Sequence, residues 1–208
     1  MHWCQISVRG GGIVGEGTYF YVPSSNFVDM GKAMYIEIGK NCKITRGVII
    51  LAHDYSYSVC NDVYETLPQN TTMTIIGDNV FLGMNAILLP GCHIGNNVIV
   101  GAGAVVSGIL ENNSVYAGNP ACKICTLDEF YKKRMNRFEE GAILQAKRIK
   151  KTYGRNPTEE EMHYYVQLFC TDQDFYVTMN ERLGNAPKAI PKETKYKSLD
   201  DFLERNMI

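Results

Sequence analysis

The chain has 208 residues, 45% of them hydrophobic and 21% charged, the proportions of a folded globular protein rather than a disordered one. Its 21 Lys and Arg stand against 22 Asp and Glu, so a net charge of −1 provides no basic face for nucleic acid. No apolar run reaches the ~18 residues of a membrane span, and seven unevenly spaced cysteines argue for free thiols rather than a disulfide framework.

The first residues, Met1-His2-Trp3-Cys4-Gln5, lack the basic-then-apolar order of a signal peptide, which predicts a cytoplasmic protein. A six-residue rhythm opens at Ile38-Gly39 and continues through Ile44 and Ile50, with Cys42 and Val48 in a second phase. It stops at His53, the end of the stretch Val48-Ile49-Ile50-Leu51-Ala52-His53. Residues 54 to 75 keep no such phase and are rich in polar and aromatic types. A loop of that length within a compact repeat predicts a functional excursion.

From Ile76 the rhythm resumes with Leu82, Leu88, Ile94, Val100 and Val106. Four residues after each comes a second, mostly small or apolar residue: Val80, Ala86, Cys92, Val98, Ala104 and Leu110. A helix repeats at 3.6 residues and a strand at 2, and neither gives a period of six. Six residues fit a short strand plus a tight turn, with Gly77, Gly83, Gly95 and Gly101 relieving backbone strain. One aliphatic per turn then points inward and stacks on its counterpart in the next coil. The pattern predicts a mainly β fold, a hexapeptide-repeat parallel β-helix in which stacking supplies the core.

The run Ser114-Val115-Tyr116-Ala117-Gly118-Asn119-Pro120-Ala121 closes the repeat. Pro120 lacks an N–H and cannot extend a strand ladder, which suits a cap. After Cys125 the pattern turns helical. Thr126 is a candidate N-cap for a helix with Leu127, Phe130, Tyr131 and Met135 on one face. That apolar stripe predicts packing against the open end of the β-helix, a neighbouring copy, or both. A second helix is expected to open at Asn156-Pro157, and a short last one at Ser198 with Asp201. Residues 184 to 196 read as a linker-like loop. The expected division is therefore a β-helix over residues 1–125, with its excursion at 54–75, and a helical extension over residues 126–208.

Four histidines occur, and His53 stands where regular coils give way to the excursion. Imidazole titrates near neutral pH, which suits it to general acid–base chemistry. A catalytic zinc would need three converging ligands. The repeat holds only His53 and His93, and Cys122-Lys123-Ile124-Cys125 has no partner pair, so no metal is predicted.

The repeat, the Ala117-Gly118-Asn119-Pro120-Ala121 ending and the junctional His53 together resemble the hexapeptide-repeat acyltransferases. The likeness is nearest to the maltose- and galactoside-type acetyltransferases and the polysaccharide O-acetyltransferases. The resemblance implies a left-handed β-helix, a homotrimer with sites between neighbouring prisms, and acetyl-CoA as co-substrate without a metal. It implies His53 as the general base, with Asn26, Asp29 and Phe81 around the acceptor. Met84, Ala102, Ser107 and Gly108 would line the acetyl-CoA groove, the Met84 N–H facing the oxyanion. Lys123 would meet the coenzyme phosphates, one place later than the family's usual basic residue because Cys122 intervenes. The expected function is O-acetylation of a sugar or polysaccharide-precursor hydroxyl, with no nucleic-acid or membrane partner. N-acetylation of an amino sugar or antibiotic, and a non-catalytic assembly role, are the alternatives.

Overall fold

The structure, a computed structural model, describes residues 10–183 and 190–208. The chain divides into two compact units, residues 1–130 and 131–208.

The first unit is a three-sided β-helix. One face stacks the parallel strands Ile13–Val14, Ile36–Ile38, Thr74–Ile76, His93–Ile94 and Ile109–Leu110. The second stacks Tyr19–Phe20, Lys43–Ile44, Phe81–Leu82, Val98–Val100 and Ser114–Ala117. The third stacks Phe27–Val28, Ile49–Ile50, Ile87–Leu88 and Val105–Val106. One strand from each face makes a coil, and the coils pair in register: Ile38 with Ile76, Ile76 with Ile94, Leu82 with Val100, Leu88 with Val106. Every sixth residue therefore turns inward on the next face, and three such steps return it to the same column of the core.

The burial follows that geometry. Ile44, Ile50, Leu82, Leu88, Val100 and Val106 are fully buried, and Val80, Ala86, Cys92, Val98 and Ala104 fill the gaps between them. Each large aliphatic removed from water in this way stabilises the stack by roughly 1.5–3 kcal/mol.

The repeat glycines have a different cause from the one expected. Gly77 and Gly83 do not take positive φ. A Cβ on Gly77 would lie 2.8 Å from the Gly95 backbone, and one on Gly83 2.5 Å from the Ala102 nitrogen. Only a hydrogen fits between successive coils there. The left-handed positions come two residues later, at Asn79, Asn85 and Asn97 (φ 56 to 58°), because asparagine tolerates that region. These side chains also tie the coils together: Asn79 Nδ2 donates to Asn97 Oδ1 at 2.8 Å, and Asn97 Nδ2 to Asn113 Oδ1 at 2.9 Å.

The excursion leaves the stack after Ile49–Ile50 and returns at Thr74, two residues earlier than the expected end at 75. It is not all loop, for it contains α1 (Tyr57–Tyr64). Asp54 begins this turn of chain by accepting the Ser56 N–H at 2.8 Å. At the far end of the coils, the chain reverses through Gly118–Ala121 into an antiparallel strand, Cys122–Thr126, beside Ser114–Ala117.

Helix α2 (Leu127–Met135) opens on a capping box, with the Thr126 N–H donating to Glu129 Oε2 at 2.8 Å and the Glu129 N–H to Thr126 Oγ1 at 3.2 Å. Within the single chain Tyr131 is 61% and Met135 42% exposed, so this part of the stripe stays uncovered there. In the second unit, α3 (Phe138–Tyr153), α4 (Gln173–Leu183) and α5 (Leu199–Arg205) belong to a separate apolar core that includes Ala142, Met162, Phe169, Tyr176 and Phe202. The helix expected after Pro157 is instead a set of turns and a 3₁₀ segment, His163–Leu168. Glu161 spends its carboxylate on Arg155 and on the Thr158 N–H. Helix α5 has its expected cap, the Asp201 N–H donating to Ser198 Oγ at 3.1 Å. Helix α4 carries no such sequence expectation. Residues 184–189 of the expected linker lie outside the described residues. Among the described residues no helix is long and apolar enough to cross a membrane.

Candidate active site

Strand pairing brings His53 to a carboxylate. Phe27–Val28 and Ile49–Ile50 are register partners, so the residues after them, Asp29 and Leu51 to His53, share one corner of the prism. The Asp29 side chain is nearly buried, its Oδ2 bonded to His53 Nδ1 and accepting the Ala52 N–H at 3.2 Å. The Asp29 N–H in turn donates to Ile50 O at 3.0 Å. A carboxylate on Nδ1 fixes that nitrogen as the donor and leaves Nε2 as the lone pair able to accept a proton. His53 keeps 27% of its side chain accessible, and the Tyr55 ring stands edge-on to it at 5.0 Å.

A polar cleft of about 90 Å³ surrounds the imidazole. Lys32 and Tyr35 reach it from the turn between the first two coils. Ser56 and Tyr57 come from the start of the excursion, and Gln69, Asn70 and Thr71 from its return. Of these, none but His53 stood out in the sequence. A helix or strand period marks buried faces, and this wall is built of exposed loop residues. A larger cavity of about 660 Å³ lies against the first coil, lined by Ile13, Phe20, Val28, Ile36 and Ile38 with Asn26 and Asp29 at its wall. Its lining is mostly the end of the apolar core, so the chemistry belongs to the cleft that holds His53.

The remaining expected residues do not gather at His53 within one chain. Met84 and Ala102 occupy the corner between the second and third faces, in successive coils, where the Gly103 N–H donates to Met84 O at 2.8 Å. Met84 is 55% exposed, and its own N–H makes no hydrogen bond among the described residues. Phe81 projects from the second face, 40% exposed. The His53 corner lies at the other end of the third face, on the edge that carries Ser107 and Gly108 two coils further along. Crossing that face takes about five extended residues, ~16 Å. Asn26 is committed to the coil, its Oδ1 accepting the Val48 N–H at 2.8 Å and its Nδ2 donating to Val22 O at 3.3 Å. Lys123 is paired with Glu111 at 2.6 Å, a contact that raises the lysine pKa and lowers that of the glutamate. Among the described residues no group of three or more His, Cys, Asp or Glu is placed to hold a metal ion.

Four complete coils of parallel strands, glycine-spaced and paired in register, form a β-helix of the hexapeptide-repeat kind. Residues 73–108 match the family of bacterial transferase hexapeptide repeats (six repeats), and the chain resembles the acetyltransferases that carry them. It is 32% identical to a protein of Escherichia coli K12 named as a lipopolysaccharide biosynthesis O-acetyl transferase, WbbJ, over 51% of this chain and 60% of that protein. It is 37% identical to protein CapG of Staphylococcus aureus over 46% of this chain and 55% of that one. The chain thus spans less than two thirds of the length of the curated relatives it matches. Among solved structures, a hexapeptide-repeat acetyltransferase of Vibrio cholerae aligns over 55% of this chain and 62% of its own, with a TM-score of 0.47 and 23% identity.

Proposed function

We propose that the protein is an acetyl-CoA-dependent O-acetyltransferase that esterifies a hydroxyl of a saccharide, in the cytoplasm. The observation that carries this reading is the pairing of a nearly buried Asp29 with His53 at the mouth of a polar cleft. The chemistry follows from that pair. His53 Nε2 takes the proton of the acceptor hydroxyl while its oxygen bonds to the thioester carbonyl carbon. The Met84 N–H stabilises the oxyanion of the tetrahedral intermediate. The C–S bond then breaks, the proton passes from the imidazolium to the departing sulfur, and an acetyl ester and free coenzyme A result. Asp29 keeps the ring in the required tautomer and balances the transient imidazolium charge.

The edges that carry His53 and Met84 are too far apart to serve one thioester in a single prism. We therefore assign the complete site to two neighbouring copies in a homotrimer of left-handed prisms, His53 from one and the Met84–Ala102 corner from the next. Ser107, Gly108 and Lys123 remain donor-side candidates, and Phe81 would flank the acceptor. Saccharide as the acceptor class is supported by the polar cleft and by the name of the WbbJ relative. The reading is tested by mixing the protein with radiolabelled acetyl-CoA and a panel of methyl glycosides. A hydroxylamine-labile acetyl group on a glycoside is expected. A chain that binds no coenzyme A by calorimetry overturns the reading.

A further inference from the structure

The cleft around His53 has two charged groups that the transfer chemistry does not use, Asp54 and Lys32. Asp29 is occupied by His53 and the Ala52 N–H. Asp54, at the same cleft, is occupied by the N–H and hydroxyl of Ser56, and these bonds hold its carboxyl below the usual range. Lys32 is different. It projects from the 3₁₀ turn Met30–Tyr35 that begins directly after Asp29, in a stretch kinked at Lys32 itself. Its ammonium lies 6.0 Å from the Tyr35 ring centre and makes no ion pair among the described residues. Lys32 is also the only cation lining the cleft among the described residues. Around it Gln69, Asn70 and Thr71 also line the cleft and spend no side-chain hydrogen bond among the described residues.

A free ammonium and unspent amide and hydroxyl donors, next to the base, suit an anionic oxygen group. We propose that the acceptor carries a carboxylate or phosphate near the reacting hydroxyl, and that Lys32 is the residue that selects for it. The proposal rests on the reading of this cleft as the acceptor side of an acetyl-transfer site. Lysine supplies a point charge with three rotatable donors, which fits either anion, whereas Gln69 and Asn70 can serve the neighbouring hydroxyls. Asp54 marks the opposite requirement at the excursion side, where a second anion would be repelled.

Binding separates this inference from the transfer reading. Calorimetry is run with methyl β-glucuronide, glucose 1-phosphate and neutral methyl β-glucoside on the full-length protein, on Lys32→Met, on Lys32→Arg and on His53→Ala. One or both anionic probes are expected to bind about tenfold tighter than the neutral one, the scale of one charge-assisted hydrogen bond. Preference for the glucuronide alone assigns a carboxylate, and for the sugar phosphate alone a phosphate. Lys32→Met should erase the preference, Lys32→Arg keep most of it, and His53→Ala leave it intact while abolishing transfer. Equal affinity for charged and neutral probes, or a preference that survives Lys32→Met, overturns the role of Lys32 even where acetyl transfer is observed. Lys32-dependent anion binding without any transfer keeps this inference and overturns the transfer reading instead.

Discussion

Asp29 and His53 stand 24 residues apart in the chain and meet because their strands are neighbouring rungs of the same face. The contact is a product of register: a slip of one residue would turn Asp29 to the other side of the sheet. Their union makes a base with a fixed tautomer out of two residues that each lie just beyond a strand.

If that union is catalytic, removing either partner should be felt in turnover rather than in folding. His53→Ala is expected to lower kcat by ~10²–10⁴-fold, the worth of a positioned general base. Asp29→Asn, which keeps the shape but lets an amide meet Nδ1, should lower kcat by at least about 10²-fold with KM little changed. Steady-state kinetics beside circular dichroism of the variants checks both, and near wild-type turnover in either contradicts the dyad.

The proposed sharing of the site between copies of a homotrimer makes a sharper prediction. His53→Ala removes the base, while a tryptophan at the exposed Ala102 corner (Ala102→Trp) would block the donor groove. Each homotrimer should be inactive. Co-assembled in equal amounts, the two should recover about a quarter of wild-type activity, since that share of random interfaces joins an intact base to an intact groove. No recovery would mean that both halves of the site belong to one chain.

The coil spacing predicts that Gly77→Ala destabilises the β-helix although Gly77 lies away from the cleft. Its Cβ would press on the Gly95 backbone at 2.8 Å and on the Asn96 side chain. Overpacking of this kind costs about 1–3 kcal/mol, read as a lowered midpoint in urea. A midpoint unchanged from wild type would show that the coils can separate more easily than their ladder suggests.

Thiol chemistry offers a direct view of the core. Burial pushes the Cys92 thiol up to about 12 and raises that of Cys42 as well, so both stay protonated and shielded at pH 8. Cys122 is exposed. Native protein treated with a disulfide reagent at pH 8 should be modified at Cys122 and not at Cys42 or Cys92 until denaturant is added, as mass mapping would show.

The parts of this architecture that could be read from the sequence are those in which burial writes a period. Ile76 through Val106 recur every six residues because each is an inward rung, and His53 stands out because the period breaks beside it. Thr126 and Ser198 were legible as caps because capping is a local transaction between neighbours. Helix α1 left no trace since none of its residues is buried, and an unburied helix has no apolar side to display. The segment after Pro157 misled in the opposite way: its proline and glutamates fit a helix start, but Glu161 is spent on Arg155 and the Thr158 N–H, and only turns form. The role of the repeat glycines depends on how closely one coil approaches the next. That distance is absent from any single coil's sequence. The cleft wall of Lys32, Tyr35 and Gln69 to Thr71 joins residues from two separated loops, and no local pattern connects them.

The excursion enters and leaves the stack without disturbing the ladder on either side: Ile38 still pairs with Ile76, and Ile50 with Leu88. The corner at His53 is thus a socket into which chain of any composition can be spliced while the rungs above and below close over the gap. Lengthening or exchanging residues 54–73 would change what stands beside the base and leave the column of Ile44, Leu82 and Val100 untouched. The ladder and much of the cleft wall are thus written in separate stretches of this chain.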